Sequence, residues 1–130
     1  MGWNGLYSMK HEWRDPTKEE MHLLRSALLK EIADVEALSR QLEHIRVSPD
    51  ADAPPGFYLL PETEAPSARS LTKGGPVSVG LYHDTDGRLV EILLTVQGGR
   101  LYSMDIQKLG PDAPIYQAPW DADVSFSTDL

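Results

Sequence analysis

The acidic segment Asp84-Thr-Asp-Gly87 comes closer than any other part of the chain to a metal-binding motif. Paired carboxylates around a glycine turn resemble the opening of a calcium-binding loop, which supplies hard oxygen ligands. Such a loop also needs glycine at its sixth position and glutamate at its twelfth, where this chain has Leu89 and Thr95. Because Asp and Gly are also the residues that a short hairpin loop requires, we predict a turn here and no metal ion.

The other residues capable of chemistry are scattered along the chain. The histidines lie in different segments without the His-x3-His spacing of a metal site: His11, His22, His44 and His83. The chain has no cysteine, which excludes disulfides, thiolate metal sites and cysteine nucleophiles. It also has no Gly-x-Ser-x-Gly elbow, and Thr72-Lys-Gly-Gly75 lacks the Walker spacing of a phosphate loop. We therefore expect no catalytic residues, no cofactor and no enzyme activity.

The first half of the chain is predicted to be helical. Thr17 and Glu20 have the spacing of a capping box, which predicts the start of a helix. Apolar residues then recur every three or four positions, from Met21, Leu24, Leu28 and Ile32 to Leu38, Leu42 and Ile45. No Gly or Pro interrupts residues 17–48. Either one long helix or two helices with a bend near Ala33-Asp34 fits, and a short strand over residues 43–47 is also compatible.

The second half predicts an antiparallel sheet. Apolar runs over residues 57–60, 77–83, 88–96 and 101–106 are separated by loops and by two tight turns, the second containing Gly98-Gly99. Alternation places three groups of side chains each on one face of its strand: Val77, Val79 and Leu81; Val90, Ile92, Leu94 and Val96; and Tyr102, Met104 and Ile106. We expect Tyr102 to pack in the core.

Helices followed by adjacent strands predict a single α+β domain. An N-terminal helix or helical pair would pack on one face of a mainly antiparallel meander, and a chain of 130 residues is long enough to bury one core. We divide it into an N-terminal arm over residues 1–14, a helical region over 15–46, a sheet over 56–109 and a loop-rich acidic tail over 110–130. A last strand over residues 124–126 is compatible with the sequence.

Negative charge is concentrated in the second half of the chain. Residues 1–48 carry seven Lys/Arg against eight Asp/Glu, whereas residues 49–130 carry five against twelve, for a total net charge of −8. A field of that sign repels nucleic acid and anionic membranes and attracts basic partners. The first residues resemble no secretory signal, and no run approaches the ~20 apolar residues of a membrane span. We expect a cytoplasmic protein that binds neither nucleic acid nor membrane.

Three motifs carry a family resemblance: Arg14-Asp-Pro-Thr-Lys-Glu-Glu20 with its following leucine pairs, Asp84-Thr-Asp-Gly87, and Leu101-Tyr-Ser-Met-Asp-Ile-Gln-Lys108. In this order they resemble a small bacterial domain-of-unknown-function family. That family has an Asp-x-Asp-Gly hairpin and a closing Leu-Tyr-x-x-Asp-hydrophobic-x-Lys strand. The chain differs from it at Gln107, where the family often carries Trp. Such small acidic domains are similar to immunity proteins of bacterial toxin systems, including contact-dependent growth inhibition.

The resemblance implies a protein that binds and neutralises a cognate basic toxin domain, such as a nuclease. Interface energy concentrates in a few aromatic or charged groups, so we predict contacts through carboxylates beside aromatic residues in turns and in the tail. These are Asp84, Asp86, Asp121 and Asp123, with Tyr82, Tyr116 and Trp120 as apolar partners. We assign Asp105 and Lys108 a structural role, such as a salt bridge or turn contact. The alternative is a small-molecule-binding or regulatory domain without catalysis.

Overall fold

The computed structural model describes residues 11–110 and 113–130. Most of the predicted N-terminal arm, residues 1–10, lies outside the described residues, as do Pro111 and Asp112 in the predicted tail. Within the described ranges, two helices precede a six-stranded antiparallel sheet of order β1-β2-β5-β4-β3-β6, which confirms the α+β prediction. The elements are α1 (Lys18–Ala27), α2 (Val35–Gln41), β1 (Arg46–Pro49), β2 (Phe57–Leu60), β3 (Gly75–His83), β4 (Leu89–Gln97), β5 (Arg100–Lys108) and β6 (Ser125–Ser127).

Helix α1 begins with the predicted capping box. The Thr17 hydroxyl accepts a hydrogen bond from the Glu20 backbone N–H at 3.0 Å, and the Glu20 carboxylate accepts one from the Thr17 N–H at 2.9 Å. Both terminal nitrogens of Arg14 donate to the same carboxylate, at 2.7 and 2.8 Å. Because the Arg14 backbone also pairs with Val47 of β1, the start of the helix is tied to the edge of the sheet.

The helical region divides into two helices, the second of the alternatives that the sequence allows. Asp34, just before α2, adopts a left-handed conformation with φ 55°, which few residues other than Gly, Asn and Asp tolerate. Its carboxylate accepts hydrogen bonds from the backbone N–H and the hydroxyl of Ser70. The break between the helices is therefore stabilised by a contact with a residue far along the chain.

The inner face of the sheet packs against the helices. Val90, Ile92, Leu94 and Val96 of β4 are all buried there, as their alternation predicts. The helices contribute leucines to the same core, namely Leu23, Leu24 and Leu38. The predicted alternation of β3 is confirmed for Val79 and Leu81, which share the outer face, since Gly80 between them and Tyr82 after them are buried. Val77 lies at an irregularity in the register with β4.

The prediction that Tyr102 packs in the core is wrong. An irregularity in the β4–β5 register pairs Thr95 with Ser103 but Val96 with Leu101, so Tyr102 is an extra residue in β5. Leu101 takes the inward position, and Tyr102 is 40% exposed. The alternation predicted for β5 therefore fails at Tyr102, and it is correct for Met104 and Ile106.

Helix α2 is joined to the sheet by a buried amide. The Gln41 side chain donates to the carbonyls of Pro66 and Gly99 at 2.8 and 3.0 Å, and accepts from the Leu101 N–H at 2.8 Å. These bonds satisfy both ends of the amide and fix the hairpin between β4 and β5 against the helix. The sheet also extends beyond the predicted range, because it begins at Arg46 and the tail contributes β6, which pairs with β3.

Candidate functional site

The turn between β3 and β4 carries a buried carboxylate. The Asp84 backbone N–H donates to the Arg88 carbonyl at 2.7 Å, and the Gly87 N–H donates back to the Asp84 carbonyl at 2.8 Å. Gly87 has φ 85°, so this tight turn requires a residue without a side chain. Asp84 itself is only 3% exposed. The prediction of a hairpin turn at this segment is confirmed, and its first residue points into the protein.

Four donors converge on the Asp84 carboxylate. They are the Lys108 ammonium at 2.8 Å and the backbone N–H groups of Tyr116, Gln117 and Thr85 at 2.8, 2.9 and 2.8 Å. Burial opposes ionisation, but the hydrogen bonds from Lys108 and the backbone outweigh it and hold the pKa of Asp84 well below its usual range. The carboxylate thus anchors the tail segment 114–117 to the end of the sheet.

Lys108 completes this arrangement from the end of β5. Its side chain is 2% exposed, and its ammonium lies 2.8 Å from the Asp84 carboxylate and 2.7 Å from that of Asp86. It also donates to the Pro114 carbonyl at 2.9 Å and lies 4.5 Å from the centre of the Tyr116 ring. Burial lowers the pKa of Lys108, but the two carboxylates outweigh burial and raise it. We call Asp84, Asp86, Lys108 and Tyr116 the turn network.

The turn network contains three of the residues predicted to contact a partner, Asp84, Asp86 and Tyr116, and a fourth, Tyr82, lies beside it. Tyr82, buried below it, donates from its hydroxyl to the Gln117 carbonyl at 2.7 Å, and burial together with Asp84 raises its pKa to about 12. Tyr82 and Asp84 therefore present almost no surface, whereas Asp86 is exposed and Tyr116 is 64% exposed. The remaining predicted residues lie farther along the tail, where Asp121 and Asp123 are exposed and Trp120 is half-buried.

The two residues assigned a structural role have different environments. Lys108 forms salt bridges, but its partners are Asp84 and Asp86 and not Asp105. Asp105 is exposed on β5 and accepts a hydrogen bond from the Ser103 hydroxyl at 3.3 Å. Within the described residues, no cation lies within ion-pair distance of Asp105.

A second grouping of aromatic and acidic side chains lies on the outer face of the sheet. The rings of Tyr58 on β2 and Tyr102 on β5 meet edge to face, with centroids 5.9 Å apart. The His11 ring also contacts Tyr58 edge to face, with centroids 4.9 Å apart. This pair was not predicted from the sequence. Tyr58 could have been assigned outward, because it alternates with the core residues Phe57 and Leu59, but Tyr102 is turned outward by the irregularity in β5.

Three carboxylates lie near enough to Tyr58 to affect its pKa. Burial raises the pKa of Tyr58, and the negative charges of Asp50, Asp105 and Asp52 raise it further. Asp50 and Asp52 belong to the loop between β1 and β2, which closes through a 2.9 Å hydrogen bond from the Asp50 N–H to the Gly56 carbonyl. We call Tyr58, Tyr102, Asp50, Asp52 and Asp105 the outer aromatic face.

Gly56 places the acidic loop beside Asp105. A Cβ at this position would lie 3.0 Å from the backbone carbonyl oxygens of Ala53 and Met104. Only glycine permits the backbone of the loop to approach β5 so closely. The loop that carries Asp50 and Asp52 is therefore packed directly against the strand that carries Asp105 and Tyr102.

The outer face contains carboxylates but few cations near the tyrosine pair. Three neighbouring cross-strand rows have no Lys or Arg: Tyr58–Ser103–Thr95, Asp105–Leu93–Val79 and Gln107–Glu91–Leu81. The apolar members make this surface partly hydrophobic, and Leu81 is itself exposed. The three rows form a surface of aromatic, aliphatic, polar and acidic side chains.

An open groove lies where the helices meet β1 and β2. Its volume is about 1170 Å³, and its apolar lining comes from Trp13, Met21, Leu42 and Leu60. The polar lining is solvent-exposed and mixed in charge, with Glu43, Glu62 and Glu64 near Arg46. Across residues 11–110 and 113–130, no three His, Asp or Glu side chains are placed to hold a metal ion. No helix in these residues has the length and apolar character required to cross a membrane.

Comparison of the chain with protein-family models, with curated proteins and with solved structures gave no match. Function must therefore be inferred from the chain's own surfaces.

Proposed function

We propose that this protein binds and neutralises a cognate basic bacterial toxin domain, such as a nuclease, in the manner of immunity proteins of contact-dependent growth inhibition. The observation that supports this proposal is an acidic surface whose carboxylates form no ion pair with a Lys or Arg of the described residues. Asp50, Asp52 and Asp105 have no cation within ion-pair distance among the described residues, while Lys108 is enclosed in the turn network.

An acidic surface suits a toxin that acts on nucleic acid. Such a toxin needs positive charge to hold its substrate, so an acidic protein competes for the same surface. Opposite charges also accelerate association, which favours rapid neutralisation. The protein needs a complementary surface with a few anchoring residues for this task, and it needs no catalytic group.

The proposal is tested by isolating the partner from the native bacterium. The tagged protein is used as bait at low and at high salt, and retained proteins are identified by mass spectrometry. We expect a stoichiometric basic protein whose release increases with salt. Its expression alone should stop growth, and co-expression with this protein should restore growth.

An unrelated acidic protein of equal net charge is the matched control in that experiment. It should neither retain the basic partner stoichiometrically nor restore growth. Recovery of the free protein alone, or of a partner whose expression is harmless, would count against the toxin proposal.

The groove between helices and sheet favours a second candidate, the binding of a small molecule. Its apolar lining and its volume of about 1170 Å³ suit an organic ligand. However, the charged side chains that line it are solvent-exposed, whereas a specific pocket places a few polar groups against a buried ligand. Native mass spectrometry of the purified protein distinguishes the candidates, since a retained metabolite would favour the groove.

A further inference from the structure

We propose that the outer aromatic face is the docking surface for a Lys/Arg-rich segment of a basic protein partner. The identification of that partner as a toxin rests on the proposed function, whereas the chemistry of the docked segment follows from the surface itself. The segment would place its cations between the tyrosine rings and the surrounding carboxylates.

The tyrosine pair lies on two interior strands of the six-stranded sheet. Tyr58 and Tyr102 project from paired strands, and their rings support one another at 5.9 Å. Tyrosine is among the residues that contribute most at protein interfaces, and a fixed ring loses little conformational freedom on binding. These two side chains therefore have the character of anchors, with Leu93, Val79 and Leu81 as the surrounding apolar surface.

The negative charge of this face favours a positively charged partner. Asp105 and Glu91 lie on it, Asp50 and Asp52 lie at its edge, and its three central rows contain no cation. A second copy of the chain would bring these carboxylates against one another, and like charges across an interface are unfavourable. Nucleic acid and anionic membrane are repelled for the same reason. A basic protein segment is the partner whose charge complements the face.

The turn network shows how this chain accommodates an ammonium group. Lys108 lies between the carboxylates of Asp84 and Asp86 with the Tyr116 ring 4.5 Å away. The outer aromatic face has carboxylates and tyrosine rings close together, but among the described residues it has no lysine or arginine between them. A cation from a partner would supply that group, gaining both ion-pair and cation–π interactions.

The test is a titration of the ¹⁵N-labelled full chain with a short peptide of alternating Lys and Ser residues, followed by NMR at low salt. We expect the largest chemical-shift changes at Tyr58, Tyr102, Asp105 and the loop 50–56, and smaller changes at high salt. Tyr102→Ala and Asp105→Asn should each weaken peptide binding about tenfold, since both remove an anchoring group. Glu31→Gln, which removes one exposed charge from the helical region, is the matched control and should change affinity by less than about twofold.

Several outcomes would overturn the docking surface. Shift changes centred on the groove, on Tyr116, or spread evenly over all acidic residues would place the cation elsewhere. Shifts that depend on protein concentration without peptide would identify a second copy as the occupant. Asp105→Lys provides a further check, because it leaves the tyrosine pair intact and should abolish peptide binding while thermal unfolding remains cooperative.

The docking surface and the toxin proposal can fail separately. If the protein restores growth against a toxin and Tyr102→Ala or Asp105→Lys restores it equally well, the docking surface is wrong and the toxin proposal stands. If the peptide binds at the outer aromatic face but the isolated partner is harmless, the surface stands and the toxin proposal fails.

Discussion

The turn network and the outer aromatic face both contain carboxylates and tyrosines, but they differ in whether a lysine of the chain pairs with the carboxylates. Both place carboxylates beside tyrosine rings at the surface of the sheet. In the turn network a buried lysine neutralises the carboxylates, and every donor of its ammonium has an acceptor. In the outer aromatic face, no Lys or Arg of the described chain occupies the corresponding position. Carboxylates that are paired with a cation within the fold stabilise the structure. Carboxylates without such a cation are available to bind a partner.

The cost of burying charge explains this division. Removing an ion from water is unfavourable unless a partner and hydrogen bonds compensate it, so Asp84 and Lys108 can be buried only together. The carboxylates of the outer aromatic face stay hydrated and need no such compensation in the free protein. A substitution should therefore lower stability in the first region and lower binding in the second.

Asp84→Asn should give the largest loss of stability among the changes considered for these two regions. It removes the negative charge that compensates Lys108 and weakens the bonds that hold segment 114–117. Breaking a buried pair by changing one partner is strongly destabilising, and we expect the Tm to fall by roughly 10 °C or more. Thermal unfolding followed by circular dichroism measures this change.

Asp105→Asn is the matched change in the outer aromatic face, with the same chemistry at an exposed position. Its Tm should differ from that of the unmodified protein by less than about 2 °C, because exposed substitutions contribute little. A similar loss of Tm in both variants would contradict the distinction between satisfied and available charge.

Acid should weaken the turn network through the same carboxylate. The pKa of Asp84 in the folded protein is lower than the value of about 3.9 in an unfolded chain. Its stabilising effect is therefore fully present above the unfolded pKa, and it is lost as the pH falls through the folded pKa. At pH values below about 4, we expect the urea concentration at the unfolding midpoint of the unmodified protein to decrease. The midpoint of Asp84→Asn should decrease less over the same pH range. If the urea midpoints of the two proteins decreased equally with falling pH, Asp84 would not be the group responsible for the loss of stability in acid.

The sequence predicts the features that depend on neighbouring residues. The capping box at Thr17 and Glu20, the inward row of β4 and the two tight turns are all confirmed. Each depends on a pattern within a few positions of the chain. The α+β class follows from the order of these elements, and it too is confirmed.

The features that the sequence could not predict depend on distant contacts. Asp34 is held by Ser70, and Gln41 is placed by carbonyls of Pro66 and Gly99. Asp84 is buried because the tail returns to cover it, which no local pattern indicates. Likewise, the tyrosine pair requires both the pairing of β2 with β5 and the extra residue in β5.

Gly56→Ala should lower both the stability of the protein and its affinity for the peptide at the outer aromatic face. Its Cβ would lie 3.0 Å from two backbone oxygens, so the loop that carries Asp50 and Asp52 must move away from β5. Overpacking of this kind costs about 1–3 kcal/mol, which urea unfolding measures. Displacement of the two carboxylates should also weaken binding of the Lys/Ser peptide.

Gly80→Ala is the matched change near the opposite edge of the sheet, where a Cβ would lie 2.5 Å from the Phe126 ring. It should also lower stability, but it should leave the position of the acidic loop and the affinity for the peptide unaltered. Equal loss of peptide affinity in both variants would show that the effect arises from general destabilisation.

The smallest expected effect is the coupling between Tyr58 and Tyr102. Edge-to-face aromatic pairs contribute about 0.5–1.5 kcal/mol beyond the area that they bury, and partial exposure of Tyr102 places this pair at the lower end. A double-mutant cycle with Tyr58→Phe as a conservative control and Tyr58→Ala and Tyr102→Ala as the test variants isolates that coupling by urea unfolding. The peptide-binding loss of each alanine variant should exceed its stability loss, since the rings serve a partner more than the core. If the pair were instead a structural contact like those of the turn network, the coupling would be large in unfolding and both variants would bind the peptide normally once folded.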